Sequence, residues 1–140
     1  MPTRSTAPPE DPVLVIPDFA QYGGDEVLSC IWGSNREQKI VKWSKRTTST
    51  EEWKGFWVSH ITMQGIFNSP VNGKHPQVSY VVEQESDQRH SILLKDIREW
   101  NEGFYKCDLI IGSWSLKSQG EHLKVQRKQL GFLSQYYLVS

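Results

Sequence analysis

The chain is divided into short strand-like segments, and this pattern limits it to an all-β fold. The segment KIVKWSKR at 39–46 alternates apolar and charged residues, which is typical of a strand with one buried face. Turn-forming residues are densest in NSPVNGKHP at 68–76. No stretch keeps an apolar period of 3.6 residues, and the longest helical candidate is a single turn within 95–103. We therefore predict a two-sheet sandwich or a barrel of about nine short strands.

The first predicted strand contains a proline. Because proline cannot donate to a strand ladder, Pro17 confines this strand to a sheet edge or marks a switch between sheets. Turn signals predict two hairpins, one joining 77–84 to 90–97 and one joining 104–111 to 121–126. The predicted strands lie at 13–19, 26–32, 39–46, 55–62, 63–67, 77–84, 90–97, 104–111 and 121–126.

Length and charge restrict the domain number and the classes of partner. A chain of 140 residues is one domain by prior expectation, and its 16 basic and 16 acidic residues give no electrostatic reason to expect nucleic acid. No apolar run approaches the roughly 20 residues of a membrane span, so contact with a membrane would need a segment outside this sequence. We expect a polar, proline-rich disordered leader at 1–12, one domain at 13–126, and a tail or linker at 127–140.

The chain has two cysteines, Cys30 and Cys107, and their position alone leaves three possibilities open. They can be free buried thiols, a disulfide, or part of a metal site. Neither has a second ligand a few residues away, and the four histidines are scattered, so no metal site is predicted. Trp43 follows Cys30 by thirteen positions on an alternating strand.

The arrangement Cys…Trp…Cys on separate strands resembles the immunoglobulin fold. The residues before the second cysteine are similar to that family's signature, L-x-I-x-x-L-x-x-x-D-x-G-x-Y-x-C. The positions that match it in kind are Ile92, Leu94, Ile97, Gly103, Tyr105 and Cys107, and the one departure is Asn101. The resemblance implies a Cys30–Cys107 disulfide between two antiparallel sheets, with Trp43 packed against it.

The same resemblance assigns roles to the residues around the second cysteine. Tyr105 is the expected corner tyrosine, whose hydroxyl bonds to upstream backbone, and Gly103 is the expected tight turn into the next strand. Asn101 replaces the aspartate of the family, and Gln77 stands where its arginine partner is usual. We expect either a Gln77–Asn101 hydrogen bond or two independent surface amides.

Spacing favours the variable (V) type within this family. The interval between Trp43 and the strand at 90–97 has room for the two extra strands that define a nine-strand V domain. SQGEHLKV also resembles the joining segment of antigen-receptor V domains, with matches at Gly120, Leu123 and Val125. Ser118 replaces the first glycine, which leaves open whether the strand carries a dimerising glycine bulge or only a turn glycine.

Binding rather than catalysis is the predicted function. The sequence has no G-x-S-x-G elbow, no phosphate-binding glycine loop and no His-x-x-x-His, so we expect neither an enzyme nor a cofactor. Alternation on 55–62 predicts that either Phe56 or Trp57 faces outward, and Trp57 is either an exposed interface anchor or covered by a neighbouring strand or the tail. We expect Trp32 to point into the core and Trp100 to cap its open end. The predicted interface residues are Lys42, Ser44, Phe56, Trp57 and Trp114.

Two functions follow from these surfaces. The first is an extracellular recognition or adhesion domain of a cell-surface, immune-type receptor, which binds a protein partner through a sheet face. That partner is expected to be a second copy or another V-type domain. The second is a secreted innate-immune module that binds a microbial or carbohydrate ligand through the loops at 33–38, 62–65 and 112–115.

Overall fold

The computed structural model describes residues 9–33, 35, 37–70, 78–80 and 88–127, with backbone only at 78–80. In these ranges the chain forms eleven strands and a 3₁₀ turn at Glu99–Asn101, and it contains no helix long and apolar enough to span a bilayer. The strands are β1 Val13–Val15, β2 Phe19–Gln21, β3 Glu26–Ile31, β4 Lys39–Arg46, β5 Lys54–Thr62, β6 Gly65–Pro70, β7 Val78–Tyr80, β8 Arg89–Leu94, β9 Gly103–Ile111, β10 Trp114–Lys117 and β11 Glu121–Gln126.

The strands form two sheets. The small sheet has the order β1-β3-β8-β7, and the large sheet has the order β2-β11-β9-β4-β5-β6 with β10 also paired to β9. All pairs are antiparallel except β2–β11, which is parallel. The fold is therefore all-β, as predicted, but the expectation of purely antiparallel sheets is wrong, and the described residues contain more than the expected nine strands.

Pro17 accounts for one of the additional strands. It divides the first predicted strand into β1, which pairs with β3 in the small sheet, and β2, which pairs with β11 in the large sheet. The chain therefore switches sheets at the residue that cannot donate a ladder hydrogen bond.

Among the described residues, a disulfide and a side-chain hydrogen bond join the two sheets within the buried core. Cys30 on β3 is disulfide-bonded to Cys107 on β9, with Cα atoms 6.2 Å apart, so the predicted disulfide is confirmed. Trp43 lies opposite Cys107 in the ladder and is fully buried. His90 is paired with Cys30 in the small sheet, and its Nε2 lies 2.7 Å from Ser59 Oγ in the large sheet. The second contact was not predicted from the sequence.

The corner before β9 is fixed by local hydrogen bonds. The Tyr105 hydroxyl donates to the Asn101 carbonyl at 2.5 Å. The Asn101 side-chain oxygen accepts a hydrogen bond from the Arg98 N–H at 2.7 Å, so this buried amide closes the 3₁₀ turn. Gln77 lies outside the described residues. The apolar signature residues beneath the corner, all fully buried, are Ile92, Leu94 and Ile97.

A β-bulge in β5 overturns the prediction that either Phe56 or Trp57 faces outward. Trp43 pairs with Trp57, but the next residue, Ser44, pairs with Gly55, so Phe56 is an extra residue on β5. Because a bulge breaks the two-residue alternation, both aromatic rings turn toward the core. Phe56 is 2% exposed and Trp57 is 9% exposed.

The 3₁₀ turn overturns the expectation for Trp100. The turn buries only Asn101 and leaves the Trp100 side chain 67% exposed, so Trp100 does not cap the core. Trp32, in contrast, is buried with the core cluster, as its spacing from Cys30 predicts.

The last strand is interrupted where the joining-like motif begins. Lys117 pairs with Asp108 and Glu121 pairs with Tyr105, so 118–120 oppose only two residues of β9. Within this bulge, Ser118 exchanges two hydrogen bonds with Cys107: its N–H donates to the Cys107 carbonyl, and its hydroxyl accepts from the Cys107 N–H, both at 2.9 Å. A serine hydroxyl therefore replaces a missing backbone acceptor. Beyond the bulge, Leu123 is fully buried and Val125 packs against the core.

Candidate functional site

The candidate site is the outer face of the large sheet, on the side away from the core. On β9 the odd positions from 103 to 111 are buried and the even positions are partly exposed. On β4, Val41 and Trp43 are buried, which places Ile40 and Lys42 on the opposite side. The outer face comprises Phe19, Gln21, Ile40, Lys42, Ser44, Arg46, Val58, His60, Thr62, Phe67, Ser69, Phe104, Lys106, Asp108, Ile110, Ser115, Lys117, His122, Lys124 and Gln126.

An apolar row crosses the upper part of the outer face, near the loop end. The ladder pairs Ile110 with Ile40, Ile40 with His60, and His60 with Phe67. A shallow pocket of about 230 Å³ opens at this row, where Ile40, Ile61 and Ile110 share its lining with the polar side chains of Gln38, Lys39, His60 and Thr62. Phe67 at the end of the row is 57% exposed. This row combines a recess with an uncovered aromatic ring, which is the usual composition of an interface centre.

The row below it is charged. Asp108 lies opposite Lys42 on one side and Lys117 on the other. The Lys106 ammonium is 3.6 Å from the Asp108 carboxylate. Three lysines therefore surround one carboxylate whose side chain is only 18% exposed. The exposed lysines dominate the potential at this level of the face.

The lowest row holds stacked aromatic and cationic groups. The Arg46 guanidinium lies 4.3 Å from the centre of the Trp53 ring, and the Lys106 ammonium lies 5.1 Å from it. Phe104 stacks on His122 with ring centres 4.6 Å apart. These contacts give the cations fixed positions, because each is held against an aromatic surface.

The acidic side chain of Glu51, near this row, is directed into its own loop. The Glu51 carboxylate accepts hydrogen bonds from the backbone N–H groups of Thr47 at 2.8 Å and Thr48 at 3.3 Å. These bonds hold the pKa of Glu51 below its ordinary value. On the core side of β4, burial lowers the pKa of the Lys45 ammonium. Glu51 therefore stabilises its own loop.

The structure separates the five predicted interface residues. Lys42 is exposed on the outer face, and Ser44 is on that face but covered. Phe56 and Trp57 are in the core, where the Trp57 indole N–H donates to the Asn68 side-chain oxygen at 3.3 Å. Trp114 lies at the loop end and is 41% exposed.

Lys39 stabilises the loop end through hydrogen bonds to its backbone. Lys39 is buried, donates to the backbone carbonyls of Asn35 and Glu37 at 2.9 and 2.6 Å, and lies 5.5 Å from the centre of the Trp32 ring. Met63 and Trp114 are the large apolar side chains exposed at this end among the described residues. This end therefore offers a second, smaller recognition surface.

The apolar row was not predicted from the sequence. Ile40, His60 and Ile110 are all on strands that were predicted, and alternation alone assigns Ile40 to the side opposite Val41 and Trp43. The pairing that aligns Ile110, Ile40, His60 and Phe67 depends on the register between strands, which single-strand alternation does not specify.

Comparison with known proteins assigns no family. No known family model matches the chain, and no curated protein matches it. The predominantly β fold with a disulfide between its two sheets is compatible with an immunoglobulin-like domain.

Proposed function

We propose that the chain is a V-type immunoglobulin domain that serves as an extracellular recognition domain of an immune-type receptor. It binds a protein partner through the outer face of the large sheet. The partner is a second copy or a different V-type domain.

The V-type assignment is supported by the two strands β5 and β6, which extend the large sheet beyond β4. It is also supported by the interrupted last strand, since 118–120 form a bulge where the joining-like motif begins. The bulges in β5 and in the last strand lie on either side of the central pair β4–β9, at the level of Trp43 and Cys107. The disulfide supports an extracellular location, because such bonds persist in oxidising compartments.

The observation that carries the proposed function is the uncovered apolar row of the outer face. The Ile40–Ile110 pocket and the exposed Phe67 lie in one line across four strands. A flat face with an apolar centre and a polar surround is the common form of a protein-binding surface.

A second candidate function rests on Trp114. Trp114 and Lys39 lie on opposite sides of Ile111 in the ladder, and Lys39 donates to the backbone carbonyls of Asn35 and Glu37. The exposed Trp114 ring is a suitable platform for a sugar or another small ligand. The chain is then a secreted innate-immune module that binds through its loops.

The experiment that tests the proposed function compares two surface variants. Tetramers of the wild-type domain, of Phe67→Glu and of Trp114→Ala are applied to a panel of extracellular protein domains and to microbial polysaccharides. We expect binding to a protein that is lost in Phe67→Glu and kept in Trp114→Ala. Binding to a polysaccharide that is lost only in Trp114→Ala contradicts the proposal and supports the second function.

A further inference from the structure

We infer that the outer face binds an acidic protein surface rather than a second copy of itself. This inference rests on the proposed function and decides between its two partners. The partner presents an apolar side chain to the Ile40–Ile110 pocket and carboxylates to the lysines below it.

The charge of the outer face differs from the charge of the whole chain. The chain has 16 basic and 16 acidic residues, a balance of zero. The outer face has five cations and one carboxylate, a net charge of +4 with histidine neutral. The six residues are Lys42, Arg46, Lys106, Lys117, Lys124 and Asp108.

The single carboxylate is not available to a partner. Asp108 lies between Lys42 and Lys117 in the ladder and is paired with Lys106 along its own strand. Its side chain is 18% exposed, and its Oδ1 is buried. Lys106 is itself only 12% exposed, so the exposed charges of this face are those of Lys42, Lys117 and Lys124, all of them cationic.

A symmetric dimer through this face would bring like charges together. In a two-fold dimer the same patch occupies both sides of the interface, so the exposed Lys42 and Lys117 of one copy approach the lysines of the other. Opposed like charges in an interface are costly, whereas a carboxylate on a different protein is attracted to the same groups. Charge complementarity thus selects an acidic partner.

The pocket between Ile40 and Ile110 restricts the partner further. It lies one ladder step above Lys42, between Ile40 and Ile110, so both features can be contacted by one short segment. Successive ladder positions on one face of a strand are about 6 to 7 Å apart. The best ligand therefore combines one large apolar residue with neighbouring Asp or Glu.

The probe is a displayed library of random twelve-residue peptides, selected on the wild-type domain. We expect the selected peptides to be enriched in Asp and Glu beside a Leu, Ile, Met or Phe. Their affinity should fall about tenfold or more in Lys42→Glu/Lys117→Glu, and also between low and high salt. The affinity of the neutral variant Lys42→Gln/Lys117→Gln should lie between that of the wild type and that of Lys42→Glu/Lys117→Glu. This variant tests the charge effect even if charge reversal beside Asp108 disturbs the sheet.

The matched control reverses two exposed lysines away from the outer face, Lys54 and Lys95. Lys54→Glu/Lys95→Glu makes the same change in net charge and should leave the affinity within about twofold. An equal loss in this control would overturn the inference, because the effect would then come from net charge alone.

The outcomes separate the inference from the proposed function. Selected peptides without acidic bias that are lost in Phe67→Glu overturn the inference and leave the proposed function standing. Peptides that are insensitive to Phe67→Glu but lost in Trp114→Ala overturn both. Sedimentation equilibrium adds an independent measure: a concentration-dependent dimer that is lost in Phe67→Glu also overturns the inference.

Discussion

Gly103 begins β9 in a backbone conformation that excludes other residues. Its φ is +154°, and a Cβ atom there would lie 2.7 Å from the Arg46 carbonyl oxygen. The neighbouring strand can move away only by disrupting its own ladder, so the close approach is fixed by backbone and not by a flexible side chain.

We therefore expect Gly103→Ala to lower the free energy of unfolding by about 2 to 3 kcal/mol or more, from strain and from the clash. Urea unfolding of this variant measures the loss. Gly33→Ala is the control, because a Cβ at Gly33 meets no atom within 4 Å. A Gly103→Ala protein as stable as the Gly33→Ala protein would contradict the assigned geometry.

Tyr105 should make stability depend on alkaline pH. Burial raises the pKa of its hydroxyl far above the ordinary value of about 10. Below pH 10 the Tyr105 hydroxyl is protonated in the folded and the unfolded protein, so its contribution to the free energy of unfolding is fully present. Above pH 10 the unfolded chain loses the proton and the folded protein retains it, so stability falls by up to about 1.4 kcal/mol per pH unit.

Tyr105→Phe tests this dependence. At pH 7 it should cost about 1 to 2 kcal/mol, because the hydrogen bond to the Asn101 carbonyl is lost. Between pH 10 and 11.5 its stability should fall less steeply than that of the wild type, as followed by urea unfolding at each pH. Parallel pH profiles for the two proteins would refute the assignment.

At the scale of elements, the last strand shows how a departure from a motif is compensated. The resemblance expects glycine at position 118, but the serine there supplies the acceptor for the buried Cys107 N–H across the bulge. Replacing Ser118 by the expected glycine should therefore destabilise this strand.

We expect Ser118→Gly and Ser118→Ala each to cost about 1 to 3 kcal/mol, because a buried donor loses its partner. Hydrogen exchange of the Cys107 amide should become faster in both, and urea unfolding gives the magnitude. Ser115→Ala, on an exposed position of β10, is the control and should change stability by no more than about 0.5 kcal/mol. A Ser118→Gly protein more stable than the wild type would show that the hydroxyl has no such role.

The two bulges also mark the limit of prediction from the sequence at this scale. The ends of β4 and β11 follow directly from alternation, and Pro17 indicates the sheet switch. The position of Phe56 does not follow, because a bulge is set by how β5 pairs with β4 and not by the residues of β5 alone. The prediction that Trp57 anchors an interface was wrong for this reason. With Phe56 as an extra residue on β5, the Trp57 side chain lies in the core and not on the surface.

At the scale of the whole molecule, the balanced composition conceals an uneven distribution. Equal numbers of acidic and basic residues do not reveal that the outer face is basic. This can be predicted only from the strand register, because the register aligns Lys42, Asp108 and Lys117 in one row. The His90–Ser59 contact between the sheets depends in the same way on tertiary structure. The cysteines and the tyrosine corner were predictable because they form a motif with fixed spacing.

The disulfide should contribute more to the stability of the whole domain than any other single contact considered above. It closes a separation of 77 positions, for which the chain-entropy relation gives about 4.5 kcal/mol. We expect Cys30→Ala/Cys107→Ala to lower the free energy of unfolding by about this amount, as measured by guanidinium unfolding. Ser59→Ala, which removes the hydrogen bond to His90 between the sheets and the one to Asn68 within the large sheet, should cost about 1 to 3 kcal/mol.

Reduction of the wild-type protein provides the same test without a substitution. Because domains of this size are stable by only about 5 to 15 kcal/mol, the reduced protein should unfold at a much lower guanidinium concentration. A reduced protein within about 1 kcal/mol of the oxidised one would show that the packed core alone maintains the fold. The fold would then not depend on an oxidising compartment, and the disulfide would no longer support an extracellular location.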